Sequence, residues 1–425
     1  MLELGCGRGD LLAALEPARG VGVDFSGGMV TRAARRHSRL SFVEGDVHRL
    51  PIAGARFDFV VASDLVNDVW DVQAVLGELQ HVTGPRTRLI LNTYSRLWEW
   101  PLAAVQKAGL ARPVLYQNWL TVEDVAGLLR LVGWEVIRTW PEILWPMNTP
   151  IIAPVFNKIV GKTWPFRLLA LTNFIIARPL PSPLRDELSV SIVVPARNEA
   201  GNINAIFART PDMGRSTELV FVEGHSTDET WSTIEREIAA NPRRRCQLHR
   251  QEGVGKGDAV RLGFAKASGE ILMILDADLT VPPEDLPRFY EALRTGQAEF
   301  VNGVRLVYPI EAQAMRFMNL VGNKFFSLAF SWLLGQPVKD TLCGTKALSK
   351  VDYELIAANR SHFGDFDPFG DFDLLFGAAK LGLKIVDLPI RYRARRYGAT
   401  NISRWRHGVL LLRMTLVAAR RIKFS

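Results

Sequence analysis

A short apolar run that ends in two aspartates places the strongest constraint on this chain. Residues 271–275 read Ile-Leu-Met-Ile-Leu, and Asp276-Ala277-Asp278 follow at once. Such a run predicts a buried strand that ends at the rim of a sheet. Asp276 and Asp278 are two positions apart, so on a regular strand they would share one face and repel each other unless a cation neutralised them. Because carboxylate oxygens suit Mg²⁺ or Mn²⁺, we expect this pair to hold one of these ions together with substrate phosphates.

Strand-like and helix-like stretches alternate along most of the chain, which is typical of βα units on a mainly parallel sheet. The alternation occurs within residues 1–140 and again within residues 188–425. Between them, residues 141–187 are apolar and rich in Pro and Trp, which predicts a stiff linker. We therefore predict an α/β protein with two tandem doubly wound domains, since 425 residues exceed what one ordinary core accommodates.

The composition narrows the possible partners and location. The net charge of +8 favours an anionic partner, such as nucleotide phosphates, an anionic membrane surface or nucleic acid. The three cysteines are far apart, and the sequence begins without a signal-peptide pattern, so a reducing cytoplasm is expected. No apolar run reaches the roughly 18 residues that a membrane-spanning helix needs.

A glycine-rich loop follows the first predicted strand. Gly5 and Gly7 stand in Leu-Gly-Cys-Gly-Arg-Gly, where glycine permits a tight turn and close approach of a ligand to the main chain. Asp24 ends the next strand, where its carboxylate could bind both hydroxyls of a ribose. Asp46 and Val47 end a third strand, and a polar and an apolar side chain there could hold the edge and face of an adenine.

In this order, these features resemble those of class I S-adenosylmethionine-dependent methyltransferases, over residues 1–140. The resemblance implies that the cofactor S-adenosyl-L-methionine (SAM) is bound by Glu3, Gly5 and Gly7 at its methionine part, by Asp24 at the ribose, and by Asp46 and Val47 at the adenine. Members of this family usually carry a helical segment before the first strand. Since this sequence begins at that strand, we expect a truncated SAM-binding domain, and methyl transfer stays open as a second activity.

In the second half, two more predicted strands and a glycine-rich loop supply residues suited to a nucleotide. A strand that ends in Pro-Ala-Arg-Asn-Glu can hold a base and ribose at the carboxyl edge of a sheet. A lysine between glycines can offer its ammonium group to a diphosphate. The residues concerned are Pro195, Ala196, Asn198, Glu199, Glu223, Lys256 and Gly257.

Residues 188–400 resemble glycosyltransferase family 2, which has the nucleotide-diphospho-sugar transferase (GT-A) fold. The segment Asp-Ala-Asp-Leu-Thr-Val-Pro-Pro looks most like that of polyprenol- and dolichol-phosphate sugar transferases. The resemblance implies that Asp276, Ala277 and Asp278 form the DxD motif, which binds the metal and the donor diphosphate. It also implies that Arg395 faces the acceptor phosphate. The nucleoside pocket would be lined by Pro195, Ala196, Asn198, Glu199 and Glu223.

Several positions depart from the pattern of this family. Gly224 replaces a second carboxylate that often contacts the nucleotide. Cys343 and Thr345 replace the usual Ser and Phe, and Thr400 and Asn401 replace the usual Ser and Lys. The change at Thr400 and Asn401 weakens the assignment of a lipid-phosphate acceptor.

A duplicated Gly-Asp-Phe-Asp contains Asp365, Asp367, Asp371 and Asp373. Many members of the family place a catalytic base in an acidic pair at the start of this helix, which favours Asp371 and Asp373. An acceptor that is itself a phosphate would need no base. The cluster would then serve the metal, the acceptor or the helix N-terminus.

Near the C-terminus, Arg406, Arg413 and Arg420 recur every seven residues beside an apolar helix surface. This pattern predicts either a helix that lies in an anionic membrane surface or a helix docked on its own domain.

We therefore predict a metal-dependent, inverting glycosyltransferase that uses a nucleotide-diphosphate sugar and a polyprenyl phosphate acceptor. It would be cytoplasmic and peripheral at the inner face of the cytoplasmic membrane, with no nucleic-acid partner. Two alternatives remain: methyl transfer as the main activity, beside a domain that binds sugar nucleotides, and a non-catalytic scaffold that senses nucleotides.

Overall fold

The computed structural model describes residues 1–109, 117–181, 186–305, 307, 317–360, 370–395, 397 and 404–424. The chain divides into two compact units, Met1–Pro181 and Ser182–Lys423, apart from its last two residues. Each unit is an α/β structure on a mainly parallel sheet, which confirms the predicted fold class.

The first unit is built on seven strands within the described residues. They are β1 (Leu2–Leu4), β2 (Val21–Asp24), β3 (Ser41–Glu44), β4 (Phe57–Ala62), β5 (Thr83–Tyr94), β6 (Trp134–Glu142) and β7 (Thr172–Pro179). Their order is β3-β2-β1-β4-β5-β7-β6, with β1 to β5 parallel and β7 antiparallel to both neighbours. The helices are α1 (Asp10–Ala14), α2 (Gly27–Arg36), α3 (Val72–Glu78), α4 (Glu99–Lys107), α5 (Val122–Leu131) and α6 (Ile152–Lys158).

The predicted linker of residues 141–187 is wrong for the part up to Pro181, which belongs to the first unit. Strand β7 lies inside this segment and inserts between β5 and β6. Its centre, Ile175 to Ala177, is buried. A run of apolar and β-branched residues is stabilised most when it packs between two other strands, away from water. Of the rest of the predicted linker, residues 182–185 lie outside the described part of the chain.

The second unit also has seven strands in its described residues. They are β8 (Val190–Ala196), β9 (Thr217–Glu223), β10 (Arg245–Arg250), β11 (Ile271–Ile274), β12 (Phe300–Val304), β13 (Lys346–Ser349) and β14 (Ile385–Pro389). Their order is β10-β9-β8-β11-β13-β12-β14, and β13 alone among them runs antiparallel to its neighbours. The helices are α7 (Ala200–Arg209), α8 (Thr230–Ala240), α9 (Lys256–Lys266), α10 (Leu286–Arg294), α11 (Phe317–Leu334), α12 (Lys350–Ala358), α13 (Asp371–Lys380) and α14 (Arg404–Ala418).

Both faces of the second sheet are buried by helices. Alternate strand residues enter two separate cores, Val193 in one and Ile192 in the other, as the two-residue period of a strand requires. Parallel strands β8, β9 and β11 end at one edge. Since β13 is antiparallel to β11, the segment that precedes β13 reaches this same edge.

The C-terminal helix α14 is docked on its own unit. Leu411, Met414 and Ala418 are buried in one of the two cores, whereas Leu412 and Leu416 are 46% and 63% exposed. The side chain of Arg406 lies outside the described part, and Arg413 and Arg420 are exposed. Among the helices that the structure describes, none combines the length and the apolar character needed to cross a bilayer.

Candidate active site

The two aspartates behind β11 each contact a cationic side chain of the same unit. The Lys256 Nζ lies 2.5 Å from Asp276 Oδ1, and the Arg395 Nη2 lies 2.7 Å from Asp278 Oδ2. The aspartate side chains are 25% and 15% exposed, so the edge of the sheet presents them half-buried. The repulsion predicted between these carboxylates is thus relieved by two cations that come from distant parts of the chain.

Lys256 is placed by the glycine-rich loop before α9. Gly255 has φ 94°, a conformation that favours glycine, and it directly precedes the helix. The Gln251 Nε2 donates a hydrogen bond to the Gly255 carbonyl at 2.7 Å. The loop therefore holds Lys256 at a helix N-terminus, where the helix dipole also favours an anionic group.

Gly344 is a site residue that the sequence analysis did not single out. A Cβ atom at this position would lie 1.9 Å from Lys256 Nζ and 2.3 Å from Asp276 Oδ2. A methyl group here would displace the Lys256 ammonium group or the Asp276 carboxylate from its present position. The sequence could have pointed to this residue, because it is a glycine between Cys343 and Thr345 in the segment before the antiparallel strand β13.

Arg395 bridges two carboxylates. Besides Asp278, its Nη1 contacts Glu199 Oε1 at 2.9 Å. Burial raises the pKa of Glu199 to about 7, although the neighbouring Arg395 acts in the opposite direction. Asp278 is fixed from its other side, because its Oδ1 accepts hydrogen bonds from the Thr280 N–H and hydroxyl groups.

The residues predicted to line the nucleoside pocket lie at the end of β8, in the loop that follows it, and at the end of the neighbouring strand β9. Pro195 and Ala196 pair with Val222 and Glu223. The Asn198 N–H donates to Ser226 Oγ at 3.0 Å, and its Oδ1 accepts from the Thr227 N–H at 2.8 Å. Glu223 is 2% exposed, and its Oε1 accepts from the Ser226 N–H at 2.5 Å. The structure brings these predicted residues together, although several carboxylates and amides already have partners within the two loops.

The N-terminus of α13 lies against the start of α9. A Cβ atom on Gly370 would lie 2.7 Å from the Gly257 Cα, so the two backbones touch. Asp373, on the first turn of α13, instead contacts Arg360, with its Oδ2 2.6 Å from Arg360 Nε. The Asp371 side chain and residues Asp365 and Asp367 lie outside the described part of the chain.

The donor set at Asp276 and Asp278 fits a metal that is shared with a substrate. Two carboxylates at one strand end supply oxygen ligands of the kind that Mg²⁺ and Mn²⁺ prefer. Within the described residues, no group of three or more His, Cys, Asp or Glu side chains could hold a metal. A metal held by these two carboxylates would keep coordination positions that diphosphate oxygens and water can fill.

The glycine loop of the first unit is closed by Asp24. Gly5 and Gly7 have φ values of 67° and 51°. The Asp24 Oδ2 accepts from the Gly7 N–H at 2.8 Å, and its Oδ1 accepts from the Ser26 N–H at 2.9 Å. Glu3 is 4% exposed, and burial raises its pKa to about 7. The structure thus brings the predicted methionine-binding and ribose-binding residues to one edge of the first sheet.

Asp46 and Val47 follow β3 on the same edge. The Asp46 Oδ1 accepts from the His48 N–H at 2.9 Å and lies 2.7 Å from His48 Nδ1. These bonds lower the pKa of Asp46, the main-chain bond first. His48 stacks on Trp70, whose side chain is 80% exposed. The sequence analysis missed Trp70, an aromatic that local pattern alone does not connect with Asp46.

Comparisons with known proteins match the two halves of the chain separately. Residues 2–91 match the family model described as methyltransferase domain, and residues 191–352 match that of glycosyl transferase family 2. Among curated proteins, the dolichol-phosphate mannosyltransferase of Pyrococcus furiosus is 27% identical over 222 residues, which is 51% of this chain and 60% of that protein. The undecaprenyl-phosphate mannosyltransferase of Micrococcus luteus is 28% identical over 229 residues, 51% of this chain and 88% of that protein.

A similar solved structure is glucosyl-3-phosphoglycerate synthase from Mycobacterium tuberculosis, in complex with Mn²⁺, UDP and glucosyl-3-phosphoglycerate. It is 22% identical, covers 56% of this chain and 81% of its own, and has a TM-score of 0.42. The predicted resemblances of both halves are confirmed by the family models. The chain contains a methyltransferase domain in its first unit and a glycosyltransferase family 2 domain in its second.

Proposed function

We propose that the second unit transfers a sugar from a nucleotide-diphosphate donor to a polyprenyl phosphate acceptor and uses Mg²⁺ or Mn²⁺. The observation that carries this proposal is the pair of aspartates at the end of β11, each held by a basic side chain. Both basic groups can turn to phosphate oxygens when substrates arrive. The two relatives named above, a dolichol-phosphate mannosyltransferase and an undecaprenyl-phosphate mannosyltransferase, support the acceptor class.

In the proposed reaction, an oxygen of the acceptor phosphate attacks the anomeric carbon of the donor sugar. The bond from this carbon to the diphosphate breaks, and its electron pair leaves on the diphosphate oxygen, with inversion at the carbon. Lys256 stabilises the departing charge from the N-terminus of α9. A bound divalent ion would supply further charge neutralisation at Asp276 and Asp278.

Arg395 is the proposed acceptor-phosphate ligand, since a guanidinium group binds phosphate oxygens in pairs. A phosphate acceptor is already ionised, so the step needs no general base. The ion pair between Asp373 and Arg360 is consistent with a structural role for that aspartate. Asp371 stays the alternative base for an acceptor that is a hydroxyl group.

The decisive experiment measures sugar transfer from UDP- and GDP-sugars to polyprenyl phosphate, with Mn²⁺ and with a chelator. Asp276→Asn and Asp278→Asn should each reduce transfer about a hundredfold or more, the usual scale for losing charge stabilisation. Asp212→Asn serves as the matched control, because the Asp212 side chain is 88% exposed. Transfer that survives the chelator and both substitutions would overturn the proposal.

We also propose that the protein acts at the inner face of the cytoplasmic membrane. The outward side of α14 carries exposed Val409, Leu412 and Leu416 beside Arg413, and exposed Arg420 lies in the turn that follows the helix. Exposed apolar and basic side chains on one helix suit an anionic membrane surface. Replacing Leu412 and Leu416 with Ser should weaken binding to anionic vesicles and leave transfer to a detergent-dispersed acceptor unchanged. Equal vesicle binding would exclude α14 as the contact.

For the first unit, we propose SAM binding, with methyl transfer as a second activity. The contacts of Asp24 with the Gly7 and Ser26 N–H groups support this proposal, because they shape the loop for a ligand. Incubation with labelled SAM and candidate acceptors tests methyl transfer. If labelled methyl transfer persists while every nucleotide sugar fails to bind, methyl transfer is the main activity. Nucleotide binding without either transfer would instead indicate a sensing scaffold.

A further inference from the structure

The segment between β6 and β7 forms a distinct part of the first unit, and we call residues 143–171 the apolar cap. It contains α6 and two 3₁₀ turns, Val160–Lys162 and Phe166–Leu169, and the structure describes all of it. Since β6 runs in the direction of β5, the cap stands at the carboxyl edge of the sheet, the same edge as Gly5 and Asp24. The Trp98 Nε1 donates to the Leu169 carbonyl at 2.9 Å and ties the cap to the turn after β5.

The apolar cap exposes eleven large apolar side chains within 29 residues, and apolar side chains grouped in this way at a surface mark an interaction site. Ile151 and Trp164 are 79% and 74% exposed. Other large apolar side chains of the cap that are at least 37% exposed are Ile143, Met147, Ile152, Val155, Phe156, Ile159, Phe166, Leu168 and Leu169.

This exposure does not come from a lack of internal structure. The Asn157 side chain holds the main chain of Trp145 through two hydrogen bonds. The Trp145 N–H donates to Asn157 Oδ1 at 2.7 Å, and the Asn157 Nδ2 donates to the Trp145 carbonyl at 2.9 Å. The Trp145 and Phe156 rings lie 5.8 Å apart. Ile151 has φ 67°, which is strained for a β-branched residue, and its side chain points into open solvent. The fold thus holds these apolar groups outward.

The charge of the apolar cap indicates what covers it. Residues 143–171 contain Lys158, Lys162 and Arg167 and no Asp or Glu. Lys162 contacts Glu142, just outside the cap, at 3.2 Å, whereas Lys158 and Arg167 are exposed. Apolar groups with basic residues and an exposed tryptophan suit the interface of an anionic bilayer. A symmetric contact between two copies would bring these basic residues together and is disfavoured.

We propose that the apolar cap inserts into the interface of an anionic phospholipid bilayer and so brings the carboxyl edge of the first sheet to the membrane. This contact is separate from the one proposed for α14, and it does not depend on sugar transfer by the second unit. It places the SAM-binding loop where an acceptor dissolved in the bilayer can reach it.

Flotation of the full-length protein tests the proposal. The vesicles contain either equimolar phosphatidylcholine and phosphatidylglycerol or phosphatidylcholine alone. The double variant Trp164→Ser, Leu168→Ser should bind the anionic vesicles about tenfold more weakly, given the apolar area removed. Lys158→Glu with Arg167→Glu should remove the preference for anionic vesicles. Leu131→Ser is the matched control, because Leu131 is 73% exposed on α5 of the same unit.

Each variant is also made in the Leu412→Ser, Leu416→Ser background, so that the contribution of α14 is subtracted. The proposal would be overturned if the wild-type protein does not bind anionic vesicles, or if the cap variants bind them as strongly as the Leu131→Ser control. If, without lipid, the cap variants form smaller oligomers than the wild type, the proposal is also overturned. The apolar cap would then be an interface between two copies of this chain. UDP with Mn²⁺ should raise the unfolding temperature of the cap variants as much as that of the wild type. This measurement reports on the second unit, so it distinguishes a failure of the proposed sugar transfer from a failure of the membrane contact.

Discussion

At the scale of single residues, the close approach at Gly344 determines whether Lys256 can reach Asp276. Gly344→Ala would place a methyl group 1.9 Å from the Lys256 Nζ. We expect nucleotide binding with Mn²⁺ to weaken ten- to a hundredfold, because a charge-assisted contact contributes roughly 1.5–3 kcal/mol. Thermal shift with UDP, GDP and Mn²⁺ measures this effect. Gly322→Ala in α11 is the control, since a Cβ there meets nothing within 4 Å; equal responses of the two variants would contradict the prediction.

Glu3 makes the first unit sensitive to pH. Burial raises its pKa from an ordinary value of 4.5 to about 7. The folded state therefore binds a proton that the unfolded state has lost, and stability falls as pH rises from about 4.5 to about 7. If the amino group of the SAM methionine lies beside Glu3, that cation favours the carboxylate. Binding of S-adenosylhomocysteine near pH 6 should then release a proton.

Calorimetric titration in buffers of different ionisation enthalpy measures this proton. Glu3→Gln should abolish the proton release and flatten the dependence of unfolding on pH, because the amide keeps an acceptor for the Leu12 N–H. Proton release that is unchanged in Glu3→Gln would show that another group is responsible.

At the scale of secondary-structure elements, α14 contributes to the core of the second unit. Removing residues 404–425 would delete Leu411 and Met414, which are 5% and 2% exposed. Each large apolar side chain lost from a core costs about 2–5 kcal/mol, so the second unit should unfold at markedly lower urea. The variant Leu412→Ser, Leu416→Ser, which changes two exposed side chains, should unfold at the same urea concentration as the wild type. A truncated chain that keeps wild-type stability would contradict the docking of α14.

The sequence predicted those elements whose signals are local. Buried strands with polar residues behind them, such as β8 and β11, are recognisable because each apolar run and its loop are contiguous. Strand β7 was missed, since its place between β5 and β6 depends on pairing with residues that lie far away in sequence. For the same reason, the contact of Arg395 with Asp278 could not be read from spacing: the two residues are 117 positions apart. The contact of Asp373 with Arg360 likewise arises from the packing of α12 against α13.

At the scale of the whole molecule, each unit has its own sheet, its own core and its own candidate site. We therefore expect two calorimetric unfolding transitions. S-adenosylhomocysteine should raise the temperature of one, and UDP with Mn²⁺ that of the other, since a ligand stabilises only the unit that binds it. Asp276→Asn with Asp278→Asn should abolish the second shift and leave the first intact. A single transition that responds to both ligands would show that the units unfold as one.

The ion pairs behind β11 also bear on the order in which ligands arrive. Asp276 and Asp278 already have two positive partners, so they exert little pull on a divalent ion that comes alone. A nucleotide diphosphate can draw Lys256 away and release a carboxylate. Titration with Mn²⁺ alone should therefore give little heat, and titration with UDP present should give strong binding; equal affinities would refute this coupling. In the proposed reaction, the protein without its donor would bind divalent ions weakly, and it would hold a metal only while the donor is bound.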